Sequence, residues 1–362
     1  MGVNWADLPT DLVVNILDKH IVSFVDGLAF SGVCRSWRKA SELVNLKHKW
    51  ECQMPWLMLT DGNQDITEHE WIGPYLKPDH EKVRCYNVEC DLGYGRKCWG
   101  SSHGWILTHG IDDNMYLFNP LTKDCLDLPC RRTIPFLRDN SGEFLGAYFI
   151  NRAVVLKVSG DTLVVVLIYD AYLRAAIAKP GDTQWTPIIS EKRAIYRRVM
   201  DVLYRRDNLG TDGLVFVNES GNIALVNLDD VQNKKPLALS WYGCYVPYIQ
   251  TYIVNSGQDL LLVLRIFETE TNDEGKVREG EHDIDHYKTV NFKVYKFQFD
   301  DRSWEELKDL QDVALFVGNN ATMSVRASEM GCQRNCIYFT DTYTFGSNAT
   351  KDKLAGHDFC VF

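Results

Sequence analysis

The spacing of apolar positions changes once along the chain. Between residues 5 and about 48 it is helical: Leu8, Leu12, Ile16 and Leu17 recur at intervals of about four, the stripe of an amphipathic helix. Thr10, behind Pro9, is the expected N-cap, and Asp11 adds a favourable charge to the first turn. Asp26 is a second N-cap candidate ahead of Leu28, Phe30, Val33 and Cys34, and Ser36 is placed to open a third short helix containing Trp37. A segment this short buries too little surface to be very stable alone, so its apolar faces are expected to need a partner.

From about Trp56 the period drops towards two. Short runs rich in Val, Ile, Leu, Tyr and Phe alternate with Gly, Asn and Asp turns, which predicts strands. Examples are Gly104–Thr108, Met115–Asn119, Thr162–Ala171, Gly213–Asn218, Asn222–Asn227, Leu260–Phe267, Val290–Phe299 and Cys336–Thr340. Val215–Val217 and Ile223–Val226, joined by Asn218-Glu219-Ser220-Gly221-Asn222, read as a hairpin. A helical period is suggested in this region at Glu305–Leu310 alone.

The strand clusters recur every ~40–55 residues, a spacing that suits four-stranded propeller blades better than one sandwich. Several share a phrase of strand, polar turn and a Trp or Leu that starts the next strand. Tyr116–Pro120 running to Leu126–Pro129, Asp182–Pro187 around Trp185, and Phe299–Glu305 around Trp304 are instances. The expected fold is therefore mainly β: a small three-helix unit, then a β-propeller of about six blades, with five to seven compatible with the spacing. Residues 268–286 interrupt the pattern with eight acids and two bases, a net −6, more than half of the chain's −10. That composition predicts a solvated hairpin insertion, with an acidic arm for a basic partner as the alternative.

Composition narrows the function classes. With 39 Lys+Arg against 49 Asp+Glu, the chain has no general attraction for nucleic acid or anionic membrane. Its longest apolar run, Leu163–Tyr169, is far short of the ~20 residues a membrane span needs. Asp7, Asp11, Asp18 and Asp26 are foreign to a secretory signal, and the eleven cysteines are odd in number, so reduced thiols are expected. The expected location is the cytoplasm, the nucleus or both, where the sequons at Asn218, Asn320 and Asn348 have no meaning.

Candidate chemistry is thin. Gly100-Ser101-Ser102-His103-Gly104 matches the G-x-S-x-G pattern, but a nucleophile elbow needs a strand before it and a helix after, and a strand-like Trp105–Thr108 follows. A tight turn entering a blade is the better reading. Gly93–Cys98 lacks the spacing of a phosphate loop. Cys85, Cys90 and Cys98, Cys125 with Cys130, Cys332 with Cys336, and His282 with His286 lack paired metal-knuckle spacing, so no metal and no cofactor is expected. Arg193, Arg197, Arg198, Arg205 and Arg206, interleaved with Tyr196 and Tyr204, read as a solvated face.

The N-terminal run Trp5-Ala6-Asp7-Leu8-Pro9-Thr10-Asp11-Leu12, with Ile16-Leu17 and then Val33-Cys34-Arg35-Ser36-Trp37-Arg38, resembles an F-box. One departure is the absence of a proline between His20 and Asp26. The remainder resembles the plant F-box proteins whose C-terminal part is the domain of unknown function 295 (DUF295), an expected propeller. Gly100–Trp105, Leu117–Thr122, Pro180–Trp185, Asp259–Val263, Ala314–Asn320, Asn335–Asp341 and the closing Val361-Phe362 carry that resemblance. It implies an F-box at 3–48, a propeller at 49–362 and no catalytic residues. It further implies a substrate-recognition subunit of a Skp–cullin–F-box E3 ubiquitin ligase, docked on a Skp-type adaptor and, through it, a cullin, with an unknown target protein on the propeller. Leu8, Pro9, Leu12, Ile16, Leu17, Val33, Cys34 and Trp37 are the positions matching the adaptor-binding motif. A non-degradative interaction module is the alternative, and a propeller hydrolase or sugar binder a third class.

Overall fold

The computed structural model describes residues 5–20, 24–43, 57–60, 68–72, 85–89, 97–100, 103–110, 112–120, 122–135, 150–158, 162–189, 198–206, 212–228, 234–238, 249–269, 287–318, 321–339 and 359–361. The chain separates into two compact units, residues 1–56 and 57–362.

The first unit is a 3-10 turn, Trp5–Asp7, and three helices, α1 (Thr10–His20), α2 (Phe24–Val33) and α3 (Arg35–Leu43). All three expected caps are displaced. The Pro9 carbonyl accepts from the Leu12 and Val13 amides, so Pro9 is the cap and Thr10 lies inside α1. Asp26 sits in the first turn of α2, and Cys34, whose carbonyl accepts from the Arg38 amide, caps α3 in place of Ser36. Val13, Leu17, Phe30 and Ala40 form the buried core, with Leu8, Val14, Ile16 and Trp37 packed against it.

The second unit holds six sheets among the described residues, met in chain order. They are β1 (Leu57–Thr60), β2 (Glu68–Ile72) and β3 (Cys85–Glu89); β4 (Lys97–Gly100), β5 (Ile106–His109), β6 (Met115–Phe118) and β7 (Cys125–Leu128); and β8 (Ile150–Val158), β9 (Thr162–Tyr169), β10 (Arg174–Ala178) and β11 (Thr186–Ile189). Then come β12 (Val199–Arg206), β13 (Asp212–Asn218), β14 (Ile223–Val226) and β15 (Lys234–Ala238), and β16 (Ile249–Ser256), β17 (Asp259–Thr269), β18 (Tyr287–Gln298) and β19 (Ser303–Leu307). The last sheet is β20 (Val313–Val317), β21 (Met323–Arg326), β22 (Cys336–Phe339) and β23 (Phe359–Val361). This is the expected mainly-β propeller architecture. Glu305–Leu310 is not helical: Ser303–Leu307 is an outer strand whose glutamates are exposed.

Face-to-face packing explains why the strands read as unbroken apolar runs. On β9, Val165, Leu167 and Tyr169 enter the layer shared with β4–β7, while Val164, Val166 and Ile168 enter the layer shared with β12–β15. On β17, Leu260, Leu262 and Leu264 pack towards β12–β15, and Leu261 and Val263 towards the last sheet. Successive side chains point to opposite faces, so a strand between two sheets must be apolar at every position. The hairpin at Asn218–Asn222 forms as expected, with Val217 opposite Ile223. The Asn218 side chain accepts from the Ser220 and Asn222 amides at 2.9 Å each, and Gly221 takes φ +74°.

The last sheet departs from the plain meander. Its order is β21-β20-β22-β23, with β20 and β22 parallel, because the chain turns back to the inner strand and then crosses over through Ala327–Met330. β23 pairs with β22, so the C-terminal strand completes this sheet. Residues 270–286 of the acidic segment lie outside the described residues; β17 and β18 on either side pair up to Thr269 and Tyr287.

Candidate functional site

Two arrangements of side chains stand out, one in each unit. In the helical unit the first turn of α3 meets the Trp5–Asp7 turn. The Trp37 indole donates to the Trp5 carbonyl at 3.0 Å, the Ser36 hydroxyl to the Ala6 carbonyl at 3.1 Å, and Cys34 Sγ lies 3.0 Å from Ser36 Oγ. The Trp37 ring packs on Phe30 with centroids 4.4 Å apart.

The structure sorts the eight motif positions. Leu17 is fully buried, and Leu8, Ile16 and Trp37 are half-buried against the core. Cys34 is half-buried, while Pro9, Leu12 and Val33 are exposed, Leu12 at 47% and Val33 at 55%. Half of the set therefore builds the unit, and Pro9, Leu12 and Val33 supply apolar surface. The eight-position set omits Trp5, which is 61% exposed. Its signal was present, since it opens the same sequence run, but no periodic partner marks it as a surface residue.

In the propeller the inner strands β8, β12, β16 and β21 neighbour one another. They carry a buried polar hub. Arg152 on β8 pairs with Asp201 on β12 at 3.0 Å, both about 1% exposed. Arg152 also donates to the Gly318 carbonyl at 2.7 Å, and its guanidinium lies 5.7 Å from the Tyr252 ring centroid. Asp201 accepts from the amides of Val202 and Ile253, and Thr322 donates to the Ile253 carbonyl at 2.5 Å. Burial pushes the Asp201 carboxyl up, against the opposing pull of the Arg152 charge. Through these contacts the hub ties four sheets together.

The remaining candidates resolve into structure. Gly100 pairs with Ile106 across the antiparallel strands β4 and β5, so a strand, not the helix of a nucleophile elbow, follows the G-x-S-x-G stretch; Ser101 and Ser102 lie outside the described residues. Among the described residues no three His, Cys, Asp or Glu side chains are grouped to hold a metal. Cys90, Arg193, Arg197, His282 and His286 fall outside the description. Arg205 corrects the reading of a solvated basic face: it is buried, donates to Asn255 Oδ1 at 3.1 Å and to the Gln258 carbonyl, and sits 5.1 Å from the Phe299 ring centroid. No helix among the described residues is long and apolar enough to cross a membrane.

Residues 75–362 match the KIB1-4 beta-propeller family. The chain belongs to that family. Relatives named F-box proteins align with most of the chain. F-box protein SKIP23 of Arabidopsis thaliana is 25% identical over 98% of this chain and 88% of its own length. A putative F-box protein of the same plant is 24% identical over 93% and 89%. Similarity to solved structures is weaker. Apo AztD from Citrobacter koseri matches with a TM-score of 0.37 at 9% identity, covering 75% of this chain and 62% of its own. YCF48 bound to D1 peptide matches with a TM-score of 0.34 at 13% identity, covering 66% and 63%. Neither says anything of function.

Proposed function

We propose that this KIB1-4-type F-box protein is the substrate-recognition subunit of a Skp–cullin–F-box ubiquitin ligase. The helical unit docks on a Skp-type adaptor, which brings the cullin, and the propeller holds the protein to be ubiquitinated. Transfer chemistry belongs to other subunits, so this chain acts without catalysis. The same reading puts it in the cytoplasm or nucleus.

The observation that carries the proposal is the split within the helical unit. Among the described residues Val13, Leu17, Phe30 and Ala40 make the buried core, while Leu12 and Val33 keep about half of their surfaces in water. A small unit that leaves large apolar side chains exposed fits one that is completed by a partner. Family membership and relatives named F-box proteins support an adaptor as that partner.

The test is a titration of the full chain with a Skp-type adaptor, comparing wild type with Leu12→Ala/Val33→Ala. Covering the exposed halves of these side chains is worth about 1 kcal/mol each, so the double variant should bind at least tenfold more weakly. Leu8 is a poorer choice because its loss would loosen the core as well. Wild-type affinity in the double variant, with helicity unchanged, would sink the docking assignment. Adaptor binding without cullin co-purification would favour a non-degradative interaction module.

A further inference from the structure

We propose that Ser36 and Trp37 are positioning residues that latch the Trp5–Asp7 turn onto α3 and so assemble the docking surface from separate segments. The inference rests on the reading of the helical unit as an adaptor-binding module. Its ground is geometric. Pro9 and Leu12 belong to the start of α1, while Val33 ends α2, and the segments are joined through side chains of α3. Two of its first three residues reach back about thirty positions: Ser36 Oγ to the Ala6 carbonyl at 3.1 Å and the Trp37 indole to the Trp5 carbonyl at 3.0 Å. The chain from Ala6 runs directly into Leu8-Pro9, and the Leu8 amide donates to the Trp5 carbonyl at 3.5 Å. Fixing the two carbonyls therefore fixes the entry to α1 relative to the α2–α3 corner.

The latch acts through backbone carbonyls, so it depends on donors and not on bulk. Trp37 has a second role, since its ring lies 4.4 Å from Phe30, and that role survives in phenylalanine. Ser36→Ala and Trp37→Phe each remove one donor and keep the apolar packing. Each neutral hydrogen bond contributes modestly, so the pair together should shift adaptor affinity about tenfold.

The experiment has two readouts on the full-length protein. Amide hydrogen exchange of the free chain should show faster exchange at residues 5–8, Leu8 above all, in the double variant, with α2 and the body of α3 unchanged. Titration with a Skp-type adaptor should show about tenfold weaker binding, and Ser36→Thr, which keeps a hydroxyl, should stay near wild type. Unchanged exchange at residues 5–8 overturns the latch whatever the adaptor does. Weaker binding with unchanged exchange would make Ser36 or Trp37 a direct contact and also overturns it. Faster exchange with full adaptor affinity shows a latch that does not assemble the surface, and refutes the proposal. If wild type does not bind the adaptor at all, the ligase reading fails, and the exchange data judge the latch separately.

Discussion

Removing Asp201 should be among the most damaging single changes in the propeller. Asp201→Ala deletes the carboxylate that pairs with Arg152 at 3.0 Å and accepts from the Val202 and Ile253 amides. It leaves the Arg152 guanidinium about 1% exposed beside a void. An uncompensated buried charge costs about 3–5 kcal/mol, and each orphaned amide adds about 1–3 kcal/mol where water cannot reach it. The expected loss is thus at least about 4 kcal/mol, read as a lower urea midpoint. Replacing both partners, Arg152→Met/Asp201→Ala, removes the stranded charge and should cost less than Asp201→Ala alone. A double-mutant cycle compares the four proteins. An Asp201→Ala protein within 1 kcal/mol of wild type, or single losses that simply add, would refute the view that the hub binds the sheets through charge pairing.

The Asp113 carboxyl accepts from Arg131 Nε at 2.8 Å and Arg132 Nε at 2.6 Å. Burial raises its pKa, but the two hydrogen bonds and the arginine charges outweigh burial and hold it below the ordinary 3.8. A depressed carboxylate stabilises the fold above its unfolded pKa and loses that contribution as pH falls through the folded value. Asp113→Asn should therefore destabilise at pH 7 and make no difference below both pKa values, measured by acid unfolding; an equal effect at all pH would count against the ion pairs. Trp304→Phe removes the indole donor to the Gly221 carbonyl at 3.2 Å while keeping most of the ring contacts with Phe297, and should cost about 1 kcal/mol in denaturant unfolding. No change in midpoint would mean the hydrogen bond is immaterial. Deleting Gly356–Phe362 removes β23 and bares the edge of β22, so light scattering should detect aggregation; a soluble monomer with unchanged melting would contradict that strand's role.

The strands were legible because burial on both faces leaves a strong signal. Leu163–Tyr169 is apolar throughout since alternate residues feed two different layers. The turn at Asn218–Asn222 was legible for a local reason, an Asn whose side chain folds the backbone around it. The caps of α1 and α3 were missed by one and two residues, because Pro9 and Cys34, not the polar residues next to them, carry the carbonyls that start the ladders. Arg205 read as part of a solvated face, and nothing marked Arg152 or Asp201. Their cross-sheet partners lie 49 or more residues away, and no local pattern announces a pairing across sheets. The parallel β20–β22 pair was hidden likewise, since strand composition does not record direction. In the helical unit the eight-position motif mixes residues that build the core with residues that face water, and helical packing alone separates Leu17 from Leu12.

The two indoles at the blade ends set an order of events. Trp185, leading into β11, donates to the Pro129 carbonyl just after β7, and Trp304 on β19 donates to the β13–β14 turn. In both cases the donor lies on or immediately before the outermost strand of the later sheet, and the acceptor lies next to a strand of the sheet before it. A ribosome delivers the acceptor first and the donor some 56 or 83 residues later. At these two junctions the indole bond is added only when the last strand of the later sheet emerges, after the inner-strand ties through Asp201 and Asn255 are available, so the outer rim is fastened later than the inner one.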